Sequence, residues 1–282
     1  MNRPLIDART LMDRAGEDLL IVDCRFELSD PEQGRRDYLQ GHLPGAIYAS
    51  LDEDLSDLGK IPQGLGRHPL PDPDAFARTL GRWGWTSQRT VVAYDTAGGA
   101  IAGRLWWMMR SIGASASVLD GGLAAWREAG GALDTGLVEV TPTEVRLQFD
   151  PQAYMETRAL REALDAGSVT LVDARAAPRY RGETEPLDRV AGHVPGAVNR
   201  PFAGNLDEEG RFRAPEVLRA EFEQLLQGVS PERVVHMCGS GVTACHNLLA
   251  MEHAGLSGAR LYTPSWSGWV SDPERPVAKD EA

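Results

Sequence analysis

At 282 residues, with 42% hydrophobic and 25% charged side chains, the chain has the composition of an ordinary globular protein and the length of two domains rather than one. A formal net charge of −12 argues against nucleic acid or an anionic membrane surface as partner, because both are held by excess Lys and Arg; any anionic substrate must instead be met by a local group of arginines. Met1 to Thr10 lacks an apolar export signal and no stretch approaches the ~18 apolar residues of a membrane span, so the expected location is cytoplasmic.

In chain order, Leu19 to Val22 forms a short apolar run that predicts a strand buried on both faces. Amphipathic spacing predicts a helix over 74–83, an apolar run a strand over 90–94, and a second amphipathic stretch a helix over 103–111. The segment 133–150, with its Thr, Gly and Pro and no helical period, reads as a linker. Beyond it the pattern returns: a helix over 151–166, a strand over 169–172, a helix over 215–227, a strand over 233–237 and a helix from Cys245 to His253. Alternating strands and helices imply right-handed crossovers and a largely parallel sheet, with ligands bound beyond the carboxyl ends of the strands.

The recurrence is also literal. Val22-Asp23-Cys24-Arg25 returns as Val172-Asp173-Ala174-Arg175 at an offset of 150, and Gly41-His42-Leu43-Pro44-Gly45-Ala46 as Gly192-His193-Val194-Pro195-Gly196-Ala197 at 151. Val91 to Asp95 matches Val234 to Cys238 at 143, an offset that Trp126 and Trp269 keep. A period this long marks a duplicated domain rather than a solenoid. The expected division is 1–132, a linker over 133–150, and 151–282.

Of three cysteines, Cys24, Cys238 and Cys245, only Cys238 stands where a buried strand runs into a Gly-rich turn and then a helix. Gly239 and Gly241 let successive N–H groups turn inward, and the helix adds its positive end, an environment that favours a nucleophilic thiolate. Cys24 and Cys245 read as packing residues. A phosphatase loop of this kind would need an arginine six positions after the cysteine, and Ala244 stands there. No metal site is expected, because His236, Cys238, Cys245, His246 and His253 lack a metal-ligand spacing.

The segment Cys238-Gly239-Ser240-Gly241-Val242-Thr243-Ala244 resembles the active-site loop of the tandem-domain rhodanese family, in particular its mercaptopyruvate branch; the thiosulfate branch typically carries a basic pair where this chain has Gly239 and Ser240. Both GHxPGA segments, Arg104-Leu105-Trp106-Trp107-Met108, Asp120-Gly121-Gly122 and Ser265-Trp266-Ser267-Gly268-Trp269 extend the resemblance over nearly the whole chain. It implies an α/β fold of two rhodanese-like domains, each a mostly parallel sheet flanked by helices, and a sulfurtransferase without metal or organic cofactor. Cys238 would carry sulfur as a persulfide, received from a small anionic donor and passed to cyanide, a small thiol or a thioredoxin-like acceptor. Asp95, matching Cys238, implies a silent first domain, since a carboxylate cannot carry persulfide sulfur. A non-enzymatic persulfide carrier remains an alternative, as does thiosulfate as donor.

The resemblance places the donor's anion on Arg179, within Pro178-Arg179-Tyr180-Arg181, and offers Arg189, after Glu185-Pro186, as a second cation despite a departure from the family spacing. Backbone groups of Gly239, Gly241, Val242 and Thr243 would hold substrate or persulfide. The hydroxyls of Ser240 and Thr243 can donate to the substrate, and Ser240 can protonate the departing enolate; alternatively both satisfy the loop itself. His42 and His193, present in both halves, read as fold residues bonding backbone at the turn.

Overall fold

In the computed structural model, which describes residues 3–279, the runs above form ten strands and ten α-helices. The first half runs β1 (Leu5–Ile6), α1 (Ala8–Asp13), β2 (Leu19–Asp23), α2 (Gln33–Gln40), β3 (Ile47–Tyr48), a 3-10 turn (Leu58–Gln63), α3 (Pro73–Arg82), β4 (Thr90–Tyr94), α4 (Ala102–Ser111), β5 (Ala116–Leu119) and α5 (Gly122–Glu128). The second runs β6 (Tyr154–Met155), α6 (Thr157–Asp165), β7 (Thr170–Asp173), α7 (Ala177–Arg181), β8 (Val198–Asn199), α8 (Pro215–Leu226), β9 (Val234–Met237), α9 (Ala244–His253), β10 (Arg260–Tyr262) and α10 (Ser265–Trp269). Short 3-10 turns at Phe202–Asn205 and Pro231–Arg233 complete it.

Each half builds a five-stranded, wholly parallel sheet. The orders, β1-β5-β4-β2-β3 and β6-β10-β9-β7-β8, are the same order twice, so the sequence repeat is a repeat of topology. The central strands β4 and β9 are buried on both faces beneath helices, as parallel sheets require. One core packs Ile6, Leu43, Val92, Tyr94, Leu119 and Trp126; the other packs Met155, Leu171, Val194, Val235, Tyr262 and Trp269.

Two local findings depart from the expected elements. The run 151–166 is not one helix: Tyr154–Met155 pairs with β10 as an edge strand, and extended backbone at Glu156 separates it from α6. The halves also do not divide at a single point in the chain. One compact unit comprises the part up to Asp57 with Leu70–Asp150 and Glu208–Phe212, so 133–150 belongs to it; the other comprises Leu58–Pro69, Pro151–Asp207 and the part from Arg213 onward. The segment Leu58–Pro69, contributed by the first half of the sequence, thus belongs to the unit that contains Cys238.

The GHxPGA histidines serve the fold. His42 Nδ1 lies 2.8 Å from the Tyr38 carbonyl and stacks on its ring, and His193 does the same with Tyr180 at 2.9 Å. Below the sheet of the second unit, His236 lies with Nε2 3.0 Å from Met251 Sδ, and burial alone lowers its pKa to about 3. An unfolded chain protonates this histidine near pH 6.5 and the folded one does not, so stability is expected to fall as the pH drops from about 6.5 towards 3. Urea unfolding of the His236→Leu variant, which lacks the titrating group, should show a shallower loss over that range.

Candidate functional site

Cys238 follows the carboxyl end of β9, where side chains of a parallel sheet meet ligands. It is 1% exposed. Its backbone is pinned on both sides: the Cys238 N–H donates to Ser265 Oγ at 3.1 Å, and the carbonyls of Cys238 and Gly239 accept from Trp266 and Ser267 at 2.9 Å. Ser265 adopts φ +51°, left-handed backbone that an L side chain rarely takes; its counterpart in the first half is Gly122 at +54°. The strained serine supplies the hydroxyl that holds the cysteine. Ser265→Ala is expected to cost about 1–3 kcal/mol by orphaning a buried N–H, and Ser265→Gly less, because glycine relieves the strain; urea unfolding of the two variants checks the order.

The first-half loop shows what this turn binds. Asp95, the counterpart of Cys238, accepts from the N–H groups of Ala97 and Gly99 through Oδ1 at 2.8 and 2.9 Å, and from Ile101 and Ala102 through Oδ2 at 2.9 Å each. Four amides therefore converge on one anion held by the residue at the end of the strand. In the second loop the matching amides are those of Ser240, Val242, Ala244 and Cys245. Among the described residues the first three donate to no protein acceptor, and only Cys245 N–H is used, by the Val242 carbonyl at 3.0 Å. A thiol, Cys238, thus stands at the head of the second loop where the first loop has the carboxylate that fills its amides.

Around the loop stands a chain of alternating charges. Asp173 and Arg175 form a buried pair, and Arg175 also reaches Glu185 at 3.4 Å and lies over the Trp266 ring. Glu185 pairs with Arg179 at 2.6 Å, and Arg179 reaches Asp188 at 3.3 Å; the other oxygen of Asp188 pairs with Arg67. Burial works against the Glu185 carboxylate, but Arg179 and the N–H groups of Leu187 and Asp188 outweigh it and hold its pKa below the ordinary range.

Of the expected site residues, Cys238, Gly239, Ser240 and Arg179 come together. A Cβ placed on Gly239 would stand 3.6 Å from both terminal nitrogens of Arg179 and 2.9 Å from Arg67 Nη2, so glycine leaves room for two guanidinium groups beside the cysteine. Gly241, at φ +78°, makes the left-handed turn, Val242 is buried, and Thr243 precedes α9 without a side-chain capping bond. Arg189 is placed differently from the expectation: its guanidinium donates to the Val270 carbonyl at 2.7 and 3.1 Å and to Ser271 at 3.3 Å, which ties down the chain after α10. Arg181 pairs at the surface with Glu183. Cys24 and Cys245 are fully buried, and burial followed by the nearby carboxylates of Asp95 and Asp23 pushes the Cys24 thiol well up, which makes it inert.

Sequence reading missed His68 and Arg67. His68 is buried with Nδ1 2.9 Å from Ser240 Oγ, giving that hydroxyl a proton partner. A signal was present: the repeat offset falls from 151 at the GHxPGA segments to 143 at the run from Val91 to Asp95, so the first half carries eight more residues between them. The Leu58–Pro69 segment, which carries both residues, lies in that longer stretch.

The family model for the rhodanese-like domain matches residues 7–129 and 156–272. A protein of Pseudomonas aeruginosa called a probable 3-mercaptopyruvate sulfurtransferase is 47% identical over 278 residues, covering 97% of each chain. A Mycobacterium tuberculosis protein called a putative thiosulfate sulfurtransferase, SseB, is 41% identical, covering 96% of this chain and 94% of its own. The crystal structure of SseA from Escherichia coli, described as a 3-mercaptopyruvate sulfotransferase, superposes with a TM-score of 0.81 at 32% identity, covering 94% of this chain and 99% of that one.

Proposed function

The chain belongs to the rhodanese family of sulfurtransferases, and on that premise we propose that it takes the sulfane sulfur of 3-mercaptopyruvate onto Cys238 and hands it to a thiophilic acceptor. The observation that carries this reading is the ring of loop amides, filled by the Asp95 carboxylate in one half and, at Ser240, Val242 and Ala244 after Cys238, without protein acceptors among the described residues in the other. The first domain is then silent, because its cradle already holds its own anion and a carboxylate cannot form a persulfide.

In the first step the Cys238 thiolate attacks the donor sulfur. An S–S bond forms, the C–S bond breaks, and its electron pair leaves as the pyruvate enolate, which takes a proton at carbon to become pyruvate. Ser240, two residues along the loop from Cys238, supplies that proton from its hydroxyl, and His68, with Nδ1 2.9 Å from Ser240 Oγ, replaces it. The loop amides hold the charge of the persulfide. In the second step a nucleophile such as cyanide or a thiol attacks the outer sulfur and restores the thiolate; a thioredoxin-like dithiol has the same chemistry. Backbone groups of Gly239, Gly241, Val242 and Thr243 line this transfer, while Arg179 fixes the donor's carboxylate. No helix among the described residues is long and apolar enough to cross a membrane, and we place the reaction in the cytoplasm.

Ser240→Ala is expected to lower kcat for pyruvate release about 10- to 100-fold with little change in KM, because the proton route is lost while the anion contacts stay. Steady-state pyruvate release measures both constants. A second donor has one specific observation in its favour, the 41% identical relative called a thiosulfate sulfurtransferase. Pyruvate release from mercaptopyruvate against sulfite release from thiosulfate, with cyanide as acceptor, decides between them; a higher kcat/KM for thiosulfate would overturn the donor assignment.

A further inference from the structure

We propose that the segment 143–149 is a self-complementary edge strand, on which a second copy of this chain docks antiparallel about a two-fold axis through Val145. It lies in the stretch that reads as a linker in the sequence, and sulfur transfer makes no use of it.

The segment has the burial pattern of a strand. Thr143, Val145, Leu147 and Phe149 are partly or fully covered, while Glu144, Arg146 and Gln148 between them are exposed, a period of two residues. Both ends are pinned. Thr143 N–H donates to the Gly81 carbonyl at 2.9 Å, Phe149 is buried and stacks on Phe76 of α3, and Asp150 N–H donates to the Ser111 carbonyl at 2.7 Å. Between the pins there is no ladder: among the described residues, no backbone N–H or C=O from Glu144 to Phe149 takes part in a hydrogen bond. In extended backbone the polar groups of alternate residues share one edge, so with Thr143 turned to Gly81, those of Glu144, Arg146 and Gln148 turn to the opposite edge. Exposed edges are ordinarily guarded by Lys, Pro or a bulge. Here Pro142 stands at one end, and 143–149 contains neither Lys nor Pro. The strand is already ordered, which lowers the entropy cost of pairing with a second one.

Charge identifies the occupant as a second copy. Glu144 and Arg146 are exposed and form no ion pair among the described residues. A two-fold axis through Val145 sets Glu144 of one copy opposite Arg146 of the other and, by symmetry, Arg146 opposite Glu144. The same register sets Gln148 opposite Pro142, whose missing N–H ends the ladder. An axis through Glu144 or Arg146 would instead bring two like charges face to face, so the register is specified as well as the partner. With a net charge of −12, two copies of this chain repel one another over most of their surface; a segment carrying one charge of each sign, in self-complementary order, is where they can meet.

The test is sedimentation of the full chain up to about 100 µM, where a short two-strand interface should give a dimer with a Kd of about 10 µM. Glu144→Arg and Arg146→Glu each set like charges opposite one another and should weaken the dimer about 10- to 100-fold. Both side chains are exposed, so urea unfolding of either variant should match the parent. Mixing supplies a readout that misfolding cannot imitate. At a concentration where each variant alone is largely monomeric, an equimolar mixture should form a heterodimer, because one chain then offers two cations where the other offers two anions. The double variant Glu144→Arg/Arg146→Glu should pair with itself as the parent does. A parent that stays monomeric at about 100 µM, a dimer indifferent to both single reversals, or a mixture that does not associate would overturn the proposal. Turnover is not the readout, so such a result would leave the sulfur-transfer reading standing.

Discussion

Cys238→Ser is expected to abolish turnover, to roughly a thousandth of the parent rate or below, while leaving the folded domain within about 1 kcal/mol of its original stability. The asymmetry follows from what the side chain does. In the fold, Cys238 is a small buried residue whose backbone is held by Ser265 and Trp266, contacts that the substitution leaves untouched. A serine hydroxyl can also accept from the loop amides. In the reaction, by contrast, sulfur is the carried atom's partner, and an alcohol neither attacks a sulfane sulfur at neutral pH nor holds it as a persulfide. Pyruvate release and cyanolysis read the first effect and urea unfolding the second. Turnover in the variant would place the chemistry elsewhere.

The second large effect is expected at the silent loop. Asp95→Ala removes an acceptor shared by four amides, and the cost should be about 3 kcal/mol or more, since hydrogen bonds to a charged group are stronger than neutral ones and the buried N–H groups of Gly99 and Ala102 are left unpaired. Asp95→Asn keeps one oxygen but turns an NH2 toward two donors, so it should recover only part of this. Persulfide formation at Cys238 should proceed at nearly the parent rate in the surviving folded fraction. Urea unfolding measures the stability change, and a loss below about 1 kcal/mol would show that the cradle needs no anion.

The residues that carried the sequence reading were those whose role is local. The buried strands that end at Asp23, at Tyr94 before Asp95, at Asp173 and at Met237 before Cys238 announced themselves by apolar runs and by their repetition, and the Gly-rich turn after Cys238 encodes its own geometry. What stayed hidden depends on distant partners. The edge strand Tyr154–Met155 is two residues long and exists because β10 offers it a ladder, so no periodicity within 151–166 reveals it. Arg189 sits near the expected spacing, yet spacing does not fix where a long side chain points, and the carbonyls of Val270 and Ser271 take it. Arg67 and His68 reach the site because a longer stretch in the first half is packed with the second unit, a placement that adjacency along the chain cannot convey.

The central claim, a persulfide on Cys238 drawn from mercaptopyruvate, is tested most directly by intact-mass analysis of the reduced protein after brief exposure to each donor. The account predicts a gain of one sulfur atom, faster from 3-mercaptopyruvate than from thiosulfate, removed by cyanide and absent in Cys238→Ser. Faster loading from thiosulfate would contradict the donor assignment, and no gain from either donor would contradict the enzymatic reading and leave a persulfide carrier loaded by another protein.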